Sequence, residues 1–93
     1  MRSRYTAFVV GDAAYLQRSW HPTTRPAHLD LDADLRWLRL DILAKRGGGP
    51  FDTEGTVEFE AIHRDAAGRG VLREHSRFVR EDGRWFYLDG DVR

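Results

Sequence analysis

From residue 36 onward the hydrophobic period is two, and this constrains the fold more than any other feature of the chain. Leu38, Leu40 and Ile42 alternate with polar residues, and Val57, Phe59 and Ala61 alternate with Glu58 and Glu60. Such spacing puts successive side chains on opposite faces of a strand. Strands are expected from residue 36, over 54–64, over 71–81 and over 84–89, with a flexible break at Lys45-Arg46-Gly47-Gly48-Gly49-Pro50 and a loop from Asp65 to Gly70. Asp82-Gly83 tolerates the positive φ angles of a two-residue type I′ turn, so the last two strands form a tight hairpin.

The front of the chain has the longer period of a helix. Over residues 2–10, Tyr5, Phe8 and Val9 are spaced i, i+3, i+4. Gly11 suits a helix C-cap and Asp12 the N-cap of a second helix over 13–20, whose stripe is Ala13, Leu16 and Trp20 and which Pro22 stops. Residues 28–34 are acidic and read as one helical turn. Helices followed by hairpin-linked strands define an α+β plan, with N-terminal helices packed on a mainly antiparallel four-stranded sheet. The 93 residues, 41% of them apolar, suffice for one core and make residues 1–93 a single domain.

Composition excludes whole classes of function. The 15 basic and 15 acidic side chains cancel, which argues against nucleic-acid or membrane binding driven by bulk charge. Without cysteine there are no disulfides, thiolate zinc sites or cysteine nucleophiles. The apolar run Ala7-Phe8-Val9-Val10 is too short for a signal peptide, so a cytoplasmic location is expected.

Hairpin geometry decides which side chains share a face. A turn at Asp82-Gly83 sets Glu81 opposite Arg84, Phe78 opposite Tyr87 and Arg80 opposite Trp85. For the preceding hairpin, charge matching favours Arg64 against Val71, which sets Glu58 against Arg77, Glu60 against His75 and Val57 against Phe78. One face then carries Leu38, Leu40, Ile42, Val57, Phe59, Ala61, Leu72, Phe78, Trp85 and Tyr87, and the helices should cover it. The other carries Glu58, Glu60, Arg64, Arg73, His75 and Arg77 with Phe86, and is the expected surface for a homodimer or partner protein.

Three polar residues fall on the apolar face: His63, Glu74 and Ser76. A carboxylate there needs hydrogen-bond partners, because burying it unpaired costs several kcal/mol. Glu74 either accepts bonds from Tyr5, Trp20 or backbone amides under the helices, or serves a pocket. Other motifs lead to no chemistry. Asp30, Asp32 and Asp34 start like a calcium loop, but its sixth and twelfth positions are Leu35 and Asp41 rather than Gly and Glu. The four histidines lack metal-ligand spacing, and the glycine run is followed by no phosphate-binding lysine. No metal and no cofactor are expected.

Three segments, read together, carry a resemblance. Met1-Arg2-Ser3-Arg4-Tyr5-Thr6-Ala7-Phe8, then Trp20-His21-Pro22, then Glu54–Phe59 with Leu72-Arg73-Glu74-His75-Ser76-Arg77-Phe78-Val79-Arg80-Glu81-Asp82-Gly83-Arg84-Trp85 resemble the central domain of the bacterial YchJ family. The resemblance implies a curved sheet in a cone-shaped fold like nuclear transport factor 2 or the cystatins. It also implies flanking cysteine-rich SEC-C segments thought to bind zinc, which are absent from this sequence. The chain thus reads as an excised domain or a short form. Where the family tends to read His-Glu-Arg-Ser, this chain has Arg73-Glu74-His75-Ser76, with the basic positions exchanged. Tyr5, Trp20, His21, Glu58, Glu74, Ser76 and Trp85 match as surface or pocket residues, and no activity is transferred.

Two functions are carried forward. The first is a non-catalytic binding or protein-interaction module. The alternative is a small-molecule pocket with acid–base, isomerase- or dehydratase-like chemistry centred on Glu74, lined from Tyr5, Trp20, His21, His63, Ser76, Trp85 and Tyr87. The interface candidates are Glu58, Glu60, Arg73, His75, Arg77 and Phe86. A nucleic-acid adaptor built on Arg64, Arg73 and Arg77 is disfavoured by Glu58 and Glu60 on the same face.

Overall fold

The computed structural model describes residues 2–31 and 34–92. Helix α1 (Arg2–Val10) ends where Gly11 takes a φ of +75°, and the Asp12 amide donates back to the Ala7 carbonyl at 2.8 Å. That is the 6→1 bond of a Schellman cap, with glycine at the one position that needs a left-handed backbone. Asp12 then caps α2 (Ala13–Arg18), its side chain accepting the Tyr15 amide at 3.0 Å. The buried face of α1 is Arg4 and Ala7, with Tyr5 and Phe8 half-buried; Val9, expected on that face, is half exposed. Leu16 of α2 is fully buried.

Four strands follow in the spatial order β1-β2-β3-β4, each antiparallel to the next: β1 (Arg36–Gly47), β2 (Glu54–Asp65), β3 (Gly68–Glu81) and β4 (Arg84–Val92). Asp82 and Gly83 both have positive φ, at 51° and 77°, and Glu81 faces Arg84 as the hairpin signal requires. β1 runs through Lys45, Arg46 and Gly47, so the break starts at Gly48, three residues later than expected. The described residues between 28 and 34 form no helical turn; Asp32 and Ala33 lie outside the described residues.

The β2–β3 register differs from expectation by two residues. Arg64 pairs with Arg69, Glu58 with His75, Glu60 with Arg73 and Val57 with Ser76. The reason is the turn: only Ala66 and Ala67 separate the strands, and Gly68, at a φ of +118°, already belongs to β3. A shift of two keeps every side chain on its expected face and changes only its cross-strand neighbour.

Three irregularities bend the sheet. Ladder pairing skips Leu38 and Leu43 in β1 and Leu88 in β4. Each extra residue resets the alternation and increases the twist. The first turns Trp37 inward, where its ring meets Tyr5 at 6.3 Å, Phe8 at 5.9 Å and His63 at 5.6 Å. Leu38 is correspondingly 47% exposed rather than in the core. Beyond the second, Lys45 stands opposite Val57 on the concave side.

The helices cover one end of that concave face. At the open edge of the sheet, residues 19–24 run beside β4. The Tyr87 amide donates to the Ser19 carbonyl and the His21 amide to the Tyr87 carbonyl, at 2.8 and 2.7 Å, while the Thr24 hydroxyl donates to the Leu88 carbonyl. This occupies part of an edge that would otherwise be free to pair with another strand.

Candidate functional site

Between α1 and the concave face lies a pocket of about 190 Å³ walled by aromatic and aliphatic side chains, Tyr5, Phe8, Trp20, Trp37, Phe59 and Leu72 among them. β3 supplies its polar groups, because alternation places Glu74 and Ser76 on the same face. The Ser76 side chain is fully buried, and its hydroxyl donates to Glu74 Oε2. The Tyr87 hydroxyl donates to the same oxygen at 3.4 Å. Gly90, opposite Ser76, makes this possible. A Cβ there would lie 2.6 Å from Glu74 Cδ and 2.7 Å from Oε2, so the carboxylate occupies the space that a side chain would fill.

A buried cation completes the pocket. Arg4 is 5% exposed, and its Nη1 donates to the Leu16 carbonyl at 2.9 Å and to Ser19 Oγ at 2.6 Å. Its guanidinium lies 4.5 Å from the centre of the Tyr87 ring and 5.3 Å from that of Trp20. Burial lowers its pKa, while Tyr87, Tyr15 and Glu74 act in the other direction. With an ordinary pKa above about 12, an arginine so placed stays charged. The Tyr87 phenol is pushed up to about 12, chiefly by burial and then by the neighbouring Glu74 charge. Tyr87 is therefore a hydrogen-bond donor at any physiological pH. Burial raises the Tyr5 phenol as well.

The Tyr87 shift gives a direct expectation. A phenol with a folded-state pKa above its unfolded value of about 10 contributes stability that is fully present below pH 10 and lost as pH rises towards 12. Absorbance at 295 nm should show a late tyrosine titration near pH 12, absent in Tyr87→Phe, and urea midpoints should fall across the same window.

The pocket gathers five of the expected ligand-binding residues: Tyr5, Trp20, Glu74, Ser76 and Tyr87. The donors to Glu74 are Ser76 and Tyr87 rather than Tyr5 or Trp20. The Trp20 indole nitrogen is buried without a partner among the described residues, and its ring instead meets Tyr87 edge-on at 4.9 Å. His21 belongs elsewhere. It is 8% exposed, with Nε2 2.8 Å from Glu81 Oε1, Nδ1 2.7 Å from Thr23 Oγ1 and its ring edge-on to Phe86, so it fastens the chain around the β4 edge. His63 packs between Trp37 and Gly70, where a Cβ would lie 2.6 Å from its ring. Trp85 faces a separate hollow on the concave side.

The interface candidates lie on the convex face, with different partners from those expected. Arg73, not Arg77, serves the β2 carboxylates, reaching Glu58 at 3.2 Å and Glu60 at 3.8 Å. Arg77 turns to β4, pairing with Asp89 and, at 2.9 Å, with Asp91. These hydrogen bonds raise its pKa. His75 faces Glu58 in the ladder, and its Nδ1 is buried without a partner among the described residues. Among the described residues no three His, Asp or Glu side chains are grouped to hold a metal ion, and no helix is long and apolar enough to cross a membrane.

Arg4 is the pocket residue that hydrophobic spacing missed. It stands three residues before Ala7 and four before Phe8, on the stripe that faces the sheet, and that position was the available signal.

Helices covering one end of a curved antiparallel sheet, with a pocket between the layers, define an α+β domain of the nuclear transport factor 2-like class. The solution structure of a SEC-C motif-containing protein from Rhodopseudomonas palustris superimposes with a TM-score of 0.83 at 30% identity, covering 100% of this chain and 75% of that one. The YchJ middle NTF2-like domain family matches residues 1–90, and the chain belongs to it. A UPF0225 protein of Streptomyces coelicolor is 57% identical over 91 residues, covering 98% of this chain and 70% of the relative. Another, from Corynebacterium efficiens, is 54% identical over 92 residues, with 99% and 70% covered.

Proposed function

We propose that the domain is a non-catalytic binding module whose ligand seat is the Glu74 pocket. The observation that carries this reading is a carboxylate held by two hydroxyls inside an aromatic-walled pocket that Arg4 also lines. Apolar cavities of about 150 Å³ admit benzene, so 190 Å³ suits a ligand of about that size. The walls favour a cyclic or branched hydrocarbon body. Glu74 favours one hydroxyl or amine donor on it, since a carboxylate has more acceptor sites than Ser76 and Tyr87 use.

Benzyl alcohol is a suitable probe, followed through amide and indole signals by NMR. Millimolar affinity, about −4 kcal/mol, is the expected scale for eight heavy atoms. Shifts should centre on Trp20, Glu74, Ser76 and Tyr87, and toluene should bind several-fold more weakly. Equal affinity for toluene, or shifts elsewhere, would overturn the assignment of Glu74 as the ligand's acceptor.

A second reading is acid–base chemistry, favoured by the placement of Tyr87 as a donor, protonated at physiological pH, beside Glu74. Glu74 would take a proton α to a carbonyl while a hydroxyl stabilises the enolate. Deuterium exchange into cyclopentanone, above the buffer rate and abolished in Glu74→Gln, would establish it. Exchange at the buffer rate leaves the binding module.

A further inference from the structure

A second hollow lies at the other end of the concave face, where the helices leave the sheet uncovered, and encloses about 490 Å³. Its floor is Ile42, Val57, Phe78 and Trp85. Arg2, Lys45 and Arg46 line it as well, and no carboxylate does so among its described lining residues. The two hollows share no lining residue; Phe78 of one packs edge-on against Tyr87 of the other at 5.7 Å.

The cations set this hollow apart. Seven ion pairs are formed among the described residues, and none uses Arg2, Lys45 or Arg46. Arg73 and Arg77 on the convex face each bridge two carboxylates; Arg36, Arg64, Arg69 and Arg84 are also outside these ion pairs, but none of them lines either hollow. Lys45 is directed to the concave side by the irregularity at Leu43, which places it opposite Val57 instead of on the convex face. The first turn of α1, which has no acidic residue, also borders the hollow through Arg2 and Ser3. Gly47, Gly48 and Gly55 line it too, and the two strands approach closely there: a Cβ on Gly47 would meet the Glu54 carbonyl at 2.5 Å and one on Gly55 the Gly48 backbone at 3.0 Å. A volume in the range of small-molecule sites, an apolar floor and a cationic rim are the three elements that select an amphipathic anion.

We infer that this hollow is a binding site for an aromatic anion, its ring lying on Trp85 and Phe78 and its carboxylate or phosphate held by Arg2 and Lys45. The site is independent of the Glu74 pocket, and its occupant has the opposite polarity at its head, a charged acceptor rather than a donor.

The test is an NMR titration of the whole chain with 2-naphthyl phosphate, 2-naphthoate and 2-naphthol. Both anions should shift the Gly48, Gly55 and Thr56 amides and the Trp85 indole, and bind about tenfold or more tightly than the neutral naphthol. A stronger response to the phosphate marks a phosphate monoester as the natural class, and a stronger response to the naphthoate marks a carboxylate. Binding of the anions should weaken as salt is raised. The double substitution Arg2→Gln with Lys45→Gln, at exposed positions, should reduce anion affinity about tenfold and leave naphthol unchanged. Equal binding of naphthol, no effect of the double substitution, or shifts confined to Ser76, Trp20 and Tyr87 would overturn the site. Benzyl alcohol reports on the other set of signals, so the failure of either site is seen separately.

Discussion

Arg4→Met should destabilise the domain by about 3 kcal/mol, lowering the melting temperature by roughly 10–20 °C for a chain of this size. The cause is the number of groups this one side chain joins. Its Nη1 holds the Leu16 carbonyl and Ser19 Oγ, and so ties the end of α2 to α1. Hydrogen bonds from a charged donor are worth about 1.5–3 kcal/mol, and a desolvated cation over an aromatic face about 2 kcal/mol more. Methionine fills similar volume but leaves the buried Leu16 carbonyl with only the longer 3.3 Å bond from the Ser19 hydroxyl. Arg4→Lys keeps the charge without the planar fork, so it should lose roughly half as much. Urea denaturation of the three proteins at pH 7 checks the order wild type, Arg4→Lys, Arg4→Met. A loss under about 1 kcal/mol for methionine would show that Arg4 does not hold the helices.

Glu74→Gln should have the opposite profile, with binding falling and the fold surviving. The glutamine carbonyl can still accept from Ser76 and Tyr87, so stability should stay within about 1 kcal/mol. What is lost is the charge, which makes the ligand's hydrogen bond roughly twice as strong, so benzyl alcohol should bind about tenfold more weakly. Gly90→Ala approaches the same point through space. Its new Cβ would lie 2.6 Å from Glu74 Cδ, which forces the carboxylate away from both hydroxyls, and binding should fall while Glu74 remains in the sequence. Titration of both variants by NMR, with unfolding curves alongside, separates a binding defect from a folding one.

Much of this architecture is legible in the residues. Asp82-Gly83 specified its turn because few residues accept positive φ twice in succession. Gly11-Asp12 specified the end of one helix and the start of the next for the same kind of local reason. The β2–β3 register was less legible, since its two turn residues are Ala66 and Ala67, the turn signal lies in the flanking Asp65, which accepts the Ala67 amide, and in Gly68, and charge matching chose the wrong partners. Arg73 finds both of its carboxylates on β2 and Arg77 both of its own on β4, a strand that the charge matching left out. The irregularities at Leu38, Leu43 and Leu88 leave no mark in an alternating pattern, so Leu38 was expected inside and Trp37 was not. The Glu74 pocket was visible because a carboxylate on an apolar face demands an explanation. Its second charge, Arg4, was hidden in a helix that packs on α2 and β1, where the arginine reaches the Tyr87 ring of β4, distant in sequence.

The central claim is that Glu74 receives a ligand in its pocket, and intermolecular nuclear Overhauser effects from bound benzyl alcohol test it most directly. The account predicts effects from the ligand's ring protons to Trp20, Phe59 and Tyr87, with its CH₂ group nearest the Glu74 side chain. Effects that place the CH₂ group against Trp37 and away from Glu74, or that locate the ring outside the pocket, would contradict it.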